Sequence, residues 1–210
     1  MKKLLVLLFS LLFLSSPSVF AEDISDFQIE GISIGDSLLD YMTEDEILEE
    51  IELSLSLNEY FYLKEPYKYV EVYLYKDFPT YSDGLSFFIK NNLTNQYVTN
   101  KNEKYIILSV RGMIDYIEDF DGCIQKRDEV VEVLSGIFPN AEKIEAFFKH
   151  TADPSGNSIV DAVYFDFDSG GRSEVSCYDY EETFRIKNNL RDGLDVAIDS
   201  EETTTWMRDY

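Results

Sequence analysis

Histidine and cysteine are scarce in this chain, which has 1 histidine (His150) and 2 cysteines (Cys123 and Cys177) among 210 residues. Zinc sites in proteins are built mainly from histidine, cysteine and carboxylate ligands. Two cysteines in an oxidising compartment usually pair with each other, which removes them as ligands. The composition therefore argues against a structural or catalytic zinc site.

Basic residues are also few: 18 Lys and Arg stand against 41 Asp and Glu, a formal net charge of −23. Such a surface repels nucleic acid and anionic lipid headgroups, and it attracts cations or basic partners. Proline and glycine number only 5 and 10, while 15 Tyr and 15 Phe supply apolar surface. This balance indicates a folded core rather than disorder, without a nucleic-acid ligand.

A long apolar run occurs only at the N-terminus. Lys2 and Lys3 precede the run Leu4–Leu14, and Val19-Phe20-Ala21 reads as a small-residue cleavage site. This pattern is typical of a secretory signal peptide and is short for a membrane span. We expect residues 1–21 to be a signal peptide and residues 22–210 to form a single exported domain, periplasmic or secreted, that is not an integral membrane protein.

The stretch 159–180 predicts a β-hairpin, because apolar side chains recur at every second residue on both sides of a glycine pair. A three-residue loop of Gly170, Gly171 and Arg172 would set Phe165 opposite Cys177, so that apolar residues face each other. Cys177 then points into the core.

A second core-facing cysteine begins the helix predicted from Cys123 to about Gly136, whose apolar residues recur at helical spacing. We therefore predict a Cys123–Cys177 disulfide between helix and sheet, with two free buried thiols as the alternative. Strands are also predicted around residues 70–74, 85–89, 96–99, 104–111, 143–151 and 194–198. Short helices are predicted at 37–41, with Asp36 as the cap, and after Ser200. Another is predicted after Thr43, with Glu46 completing a capping box. The predicted fold class is α+β, an antiparallel β-sheet with a few helices packed on one face.

The tetrapeptide Gly35-Asp36-Ser37-Leu38 resembles the signature of the GDSL esterases, in which the serine is the nucleophile. Members of that family place their histidine in an Asp-x-x-His sequence near the C-terminus. Here the residue three before His150 is Phe147, and the family's Gly-x-Asn-Asp block is missing. A serine without a base is a poor nucleophile. Ester hydrolysis by Ser37 with His150 is thus the alternative hypothesis, and a helix cap is the structural explanation of the motif.

Two acidic clusters offer the oxygen ligands that calcium prefers. Neither matches an EF-hand loop, since the fifth and twelfth positions counted from Asp166 are Gly170 and Cys177. We therefore expect no cofactor and keep calcium as an alternative. The clusters are Asp115, Glu118, Asp119 and Asp121, and the pair Asp166 and Asp168.

Tyrosines concentrate between residues 60 and 81, where 7 of the 15 occur. Tyr73 and Tyr75 alternate with the apolar Val72 and Leu74, so they should lie on the outer face of a strand. Tyrosine is favoured at binding surfaces, although the same residues could instead pack beneath a helix.

The segments Asp26–Tyr41, the helix at Cys123 and the ending around Trp206 resemble exported proteins of marine-type bacteria that share the phrase Ile29–Asp40, IEGISIGDSLLD. The resemblance covers about half of the expected mature chain. It implies export and a common fold, and it carries no activity.

The leading hypothesis from the sequence is an exported, non-enzymatic binding or envelope-associated module. Its binding surface would be the strand face with Tyr73 and Tyr75, and its partner a protein or an envelope component with cationic groups.

Overall fold

The computed structural model describes residue 24 and residues 27–57, 68–76, 78–91, 100 and 103–208. Within these ranges the chain forms a short 3₁₀ helix (Leu38–Asp40), four α-helices and seven strands. The helices are α1 (Glu44–Leu57), α2 (Phe120–Ile137), α3 (Glu182–Lys187) and α4 (Glu201–Arg208). The strands are β1 (Tyr69–Leu74), β2 (Leu85–Lys90), β3 (Ile107–Asp115), β4 (Glu142–Lys149), β5 (Ile159–Asp166), β6 (Arg172–Asp179) and β7 (Gly193–Asp199).

The strands form one antiparallel sheet in the order β1-β2-β3-β7-β6-β5-β4. The last strand, β7, lies in the middle and joins two groups of sequential strands. Every residue of β7 is buried, because it has a neighbouring strand on each side and packing on both faces. An antiparallel sheet with helices confirms the predicted α+β class.

Helix α2 packs on the face of the sheet that we call the helix face, which bears Val163, Val175 and Val196 in one row. The disulfide Cys123–Cys177 joins α2 to β6 on this face, with the two sulfur atoms 1.99 Å apart. The pairing is the one predicted from the hairpin and helix patterns. It ties helix to sheet at the centre of the hydrophobic core.

Helix α4 lies on the opposite face, so the prediction that the helices pack on one face is wrong for this element. The Trp206 ring contacts the rings of Tyr69 and Phe88, with centroids 5.7 and 5.2 Å apart. Tyr69 and Phe88 belong to the opposite pleat from Val70 and Phe87, which face the core. The sequence pattern of a short terminal helix does not reveal which face it will cover.

The β5–β6 hairpin has the predicted faces but a different register. Val163 pairs with Val175, and Phe165 pairs with Ser173 rather than with Cys177. The turn contains five residues, in which Phe167 N donates a hydrogen bond to the Gly171 carbonyl and Gly170 N donates one to the Phe167 carbonyl. The partner of Phe165 thus shifts by an even number of residues, from Cys177 to Ser173, which leaves each side chain on its predicted face.

Several local predictions are confirmed and others differ. Thr43 and Glu46 form the predicted capping box at α1, and Ser200 caps α4. Ser37, rather than Asp36, caps the 3₁₀ helix. Helix α3 was not predicted. The predicted signal peptide and the predicted strand at 96–99 lie outside the described residues.

Candidate functional site

The face opposite α2 carries a group of charged and hydroxyl side chains, and we call it the polar face. Small residues form its central floor: Ala162, Ser176 and Ala197 are completely buried. Larger charged and hydroxyl side chains share this pleat around them, because side chains on one pleat repeat every second residue. They are Arg111 on β3, Tyr164 on β5, Glu174 and Tyr178 on β6, and Asp195 and Asp199 on β7.

Asp195 is compensated by two arginines. Its Oδ2 accepts a hydrogen bond from Arg111 Nη1 at 3.2 Å, and its Oδ1 accepts one from Arg191 Nη2. Arg191 also donates to Asp115 at 3.1 Å. Burial alone would lower the pKa of Arg111, but the surrounding Tyr178 and acidic groups outweigh it and raise that pKa well above its usual value. This half of the polar face is therefore a satisfied ion-pair network.

Glu174 is nearly buried and is held by two hydroxyl groups. Its Oε1 accepts hydrogen bonds from Ser176 Oγ and from Tyr178 OH, the latter at 3.1 Å. Burial, followed by the proximity of Glu174, raises the pKa of Tyr178 well above its usual value. Tyr178 therefore remains a hydroxyl donor to the carboxylate at any physiological pH.

Next to Glu174 the polar face opens into a cleft of about 540 Å³, which lies between the end of the β5–β6 hairpin and α4. Gly170 takes a positive φ of 89° in the turn at its rim, where a Cβ would lie 2.7 Å from Glu201 Cγ. Glycine thus lets the hairpin end pass close to α4. The cleft is lined by Tyr164, Asp166, Phe167, Gly170, Gly171, Arg172, Glu174, Asp199, Thr204 and Met207.

Asp199 lies at the floor of this hairpin cleft and is only 2% exposed. Its Oδ1 atom is buried and has no hydrogen-bond partner among the described residues. Burial, opposed by Arg111 and reinforced by Glu174, raises the pKa of Asp199 to about 6. Near neutral pH, Asp199 is therefore a buried carboxylate with one unsatisfied acceptor.

The arginine in the cleft is already engaged. Arg172 donates from Nε and Nη2 to the two carboxylate oxygens of Asp166, at 2.6 and 2.9 Å. Its guanidinium also lies over the Tyr164 ring, 4.5 Å from the centroid. This bidentate pair is close to neutral, so Glu174 and Asp199 give the cleft an excess of negative charge.

The tyrosines singled out in the sequence lie at the far edge of the same sheet. Tyr73 belongs to the polar-face pleat of β1, and its ring stacks on that of Tyr75 at 5.8 Å and 6°. Tyr75 is 71% exposed, whereas Tyr73 is half-buried. Strands β2 and β3 separate β1 from β7, the first strand that contributes to the hairpin cleft. The tyrosine pair and the cleft therefore occupy separate parts of one face.

Ser37 and His150, the hypothetical catalytic pair, lie at opposite ends of the sheet. Ser37 bridges to Ile106 just before β3, donates from Oγ to the Lys104 carbonyl at 2.8 Å and accepts from Leu39 N. His150 follows β4, level with the far end of β3, where its ring contacts Tyr180 and Phe184. The length of β3 places them roughly 30 Å apart, beyond proton-transfer reach.

Burial lowers the pKa of His150, so its ring is uncharged at neutral pH.

Each of the two acidic clusters considered for calcium binding contains a carboxylate with a structural role. Asp119 caps α2 by accepting a hydrogen bond from Gly122 N at 3.0 Å, and Asp166 pairs with Arg172. In the described part of the chain, no three acidic, histidine or cysteine side chains are grouped to hold a metal ion.

Sequence reasoning missed Glu174 and Asp199. A signal was nonetheless present, because acidic residues in a strand as apolar as Gly193–Asp199 must either reach solvent or acquire partners. The sequence pattern does not reveal that β7 lies at the centre of the sheet. That position buries Asp199 close to Glu174.

No protein-family model, no curated protein and no solved structure matches this chain. Among the described residues, no helix combines the length and apolar character needed to span a lipid bilayer.

Proposed function

We propose that the chain is an exported, non-enzymatic binding domain whose polar face recognises cationic groups. The observation that carries the proposal is the uncompensated negative charge of the hairpin cleft. Glu174 and Asp199 contribute two carboxylates to its lining, while its arginine is engaged by Asp166. A partner bearing positive charge would complete this arrangement.

The proposal assigns different roles to the net charge of the protein and to the carboxylates of the cleft. Without residues 1–21 the chain has 16 basic and 41 acidic residues, a net charge of −25, which attracts cations over the range of the Debye length. Close to the surface, the partly desolvated carboxylates of the cleft interact more strongly than those on exposed helices. The cleft, rather than the overall charge, would therefore provide selectivity.

The stacked pair Tyr73 and Tyr75 extends the proposed surface toward β1. Tyrosine combines a broad apolar ring with a polar tip, which suits contacts at the edge of an interface. A protein or envelope component with cationic groups could contact both regions, because they share one face of the sheet. Export is supported by the N-terminal signal pattern and the disulfide.

The test is a titration of the purified protein with an oligolysine peptide, followed by calorimetry at several salt concentrations. We expect Glu174→Gln to weaken binding at least tenfold, and Tyr73→Ala with Tyr75→Ala to weaken it less. Glu49→Gln on the exposed surface of α1 removes the same charge and serves as the matched control.

Equal losses in Glu174→Gln and Glu49→Gln would show that only the total charge matters and would overturn the proposal. Each variant is compared with the wild type by circular dichroism and thermal unfolding, so that a loss of fold is separated from a loss of binding.

A further inference from the structure

We propose that the hairpin cleft binds the primary ammonium group of an aliphatic amine, with Asp199 Oδ1 as its main hydrogen-bond acceptor. This inference rests on the proposed recognition of cations by the polar face and names the ligand chemistry of that site. It is carried by the unpartnered, buried Oδ1 oxygen of a residue that lines an open cleft.

Asp199 Oδ1 lacks a hydrogen-bond donor among the described residues. A buried acceptor without a partner destabilises the protein, and more so when the group is charged. Arg172 lies directly opposite Asp199 on β6, yet it donates to Asp166 instead. Ser109, opposite Asp199 on β3, hydrogen-bonds to the carboxyl group, but Oδ1 remains without a partner among the described residues. The donor that satisfies Asp199 Oδ1 must therefore come from elsewhere, and the cleft provides the route by which it can enter.

The positions of the carboxylates favour an ammonium group over a metal ion. Glu174 lies opposite Ala197, two residues from Asp199, so the two acidic residues are diagonal neighbours with Cβ atoms about 7 Å apart. Within the described ranges, no third carboxylate or imidazole joins them as a ligand. A primary ammonium has three N–H donors and can reach both carboxylates without full desolvation.

The rest of the cleft suits an aliphatic chain. Phe167 and Met207 line it beside the carboxylates, on the hairpin end and α4 respectively. Its volume lies within the range of small-molecule sites, which combine apolar walls with a few polar groups that fix orientation. An amine would thus place its charge at the floor and its hydrocarbon chain against Phe167 and Met207.

The requirement for N–H donors makes the inference testable with matched probes. Hexylamine and hexyltrimethylammonium carry the same charge and chain, but only the first can donate a hydrogen bond to Asp199. In calorimetric titrations at pH 7.5, we expect hexyltrimethylammonium to bind at least tenfold more weakly. Equal affinity for the two probes would overturn the inference.

Variants of the protein supply the second arm. Asp199→Asn preserves the size of the side chain and should weaken hexylamine binding at least tenfold. Asp168→Asn removes the same charge from the exposed tip of the hairpin and should leave the affinity unchanged. An unaltered affinity in Asp199→Asn, with the fold verified by thermal unfolding, would overturn the assignment.

A third arm identifies the source of the ammonium group. Displacement of hexylamine by a lysine peptide with blocked termini assigns the site to lysine side chains of a protein, and failure of displacement assigns it to free amines. If oligolysine binding depends on Glu174 while hexylamine does not bind, this inference fails and the proposed function stands. If neither probe depends on the polar face, both fail.

Discussion

Arg172 and Asp199 lie opposite each other on β6 and β7, but the arginine makes its bidentate contact with Asp166 on β5. Asp199 therefore keeps a buried oxygen without a partner among the described residues. A carboxylate in this position reduces stability unless a ligand offsets the cost. Binding sites commonly retain such destabilising groups because they serve recognition.

Replacement of Asp199 by asparagine should stabilise the unliganded protein at neutral pH. The pKa of Asp199 is raised from 3.8 to about 6, so the folded state binds more protons than the unfolded state between these values. Stability consequently falls as the pH rises from about 4 to 6, by at most about 3 kcal/mol. Asparagine cannot ionise and avoids this loss.

We expect chemical denaturation to show Asp199→Asn more stable than the wild type at pH 7.5, with the difference disappearing at pH 4. The variant Asp168→Asn should show no such pH-dependent gap. A variant that is less stable than the wild type at pH 7.5 would contradict the raised pKa.

Amine binding should weaken in acid. An ammonium group favours the ionised form of Asp199, so protonation of this carboxylate competes with the ligand as the pH falls below about 6. The groups that influence Asp199 from β3 and β6 are the charged Arg111, Glu174 and Arg172, together with the Ser109 hydroxyl, whose hydrogen bond favours the ionised form.

We expect hexylamine affinity to fall about tenfold between pH 7 and pH 5, as measured by calorimetry. The residual affinity of Asp199→Asn should change much less over the same interval. A wild-type affinity that is flat across this range would exclude Asp199 as the acceptor.

The disulfide should make a large contribution to stability. Cys123 and Cys177 are 54 positions apart. Closing a loop of this length lowers the entropy of the unfolded chain, which stabilises the folded state by about 4 kcal/mol. Replacing both cysteines by alanine should lower the melting temperature by roughly 10 °C. Calorimetry of the variant and of the reduced wild type should agree, and an unchanged melting temperature would contradict the estimate.

Ser37 should matter for stability rather than for ester turnover. Its hydroxyl caps the 3₁₀ helix and donates to the Lys104 carbonyl, so Ser37→Ala should cost about 1–2 kcal/mol in unfolding free energy. Hydrolysis of a p-nitrophenyl ester should be the same for the wild type, Ser37→Ala and His150→Ala. Turnover that both variants lack would instead support the hydrolase hypothesis.

Short-range patterns in the sequence predicted much of the local structure. The capping box of Thr43 and Glu46, the alternation in β5 and β6 and the apolar stripe of α2 each depend on residues within a few positions. The disulfide followed from the same patterns, because they oriented Cys123 and Cys177 toward one core. Strand alternation also placed Tyr73 away from the apolar face.

The tertiary structure decided the site. Strand order depends on packing between distant segments, so nothing near Gly193–Asp199 indicates that β7 will insert between β3 and β6. That insertion buries Asp199 and places it beside Glu174. The sequence by itself determined which side chains share a face, since the pleat alternates at every residue. Only the assembled sheet determined which of them meet, because that depends on register, turn length and the face that α4 covers.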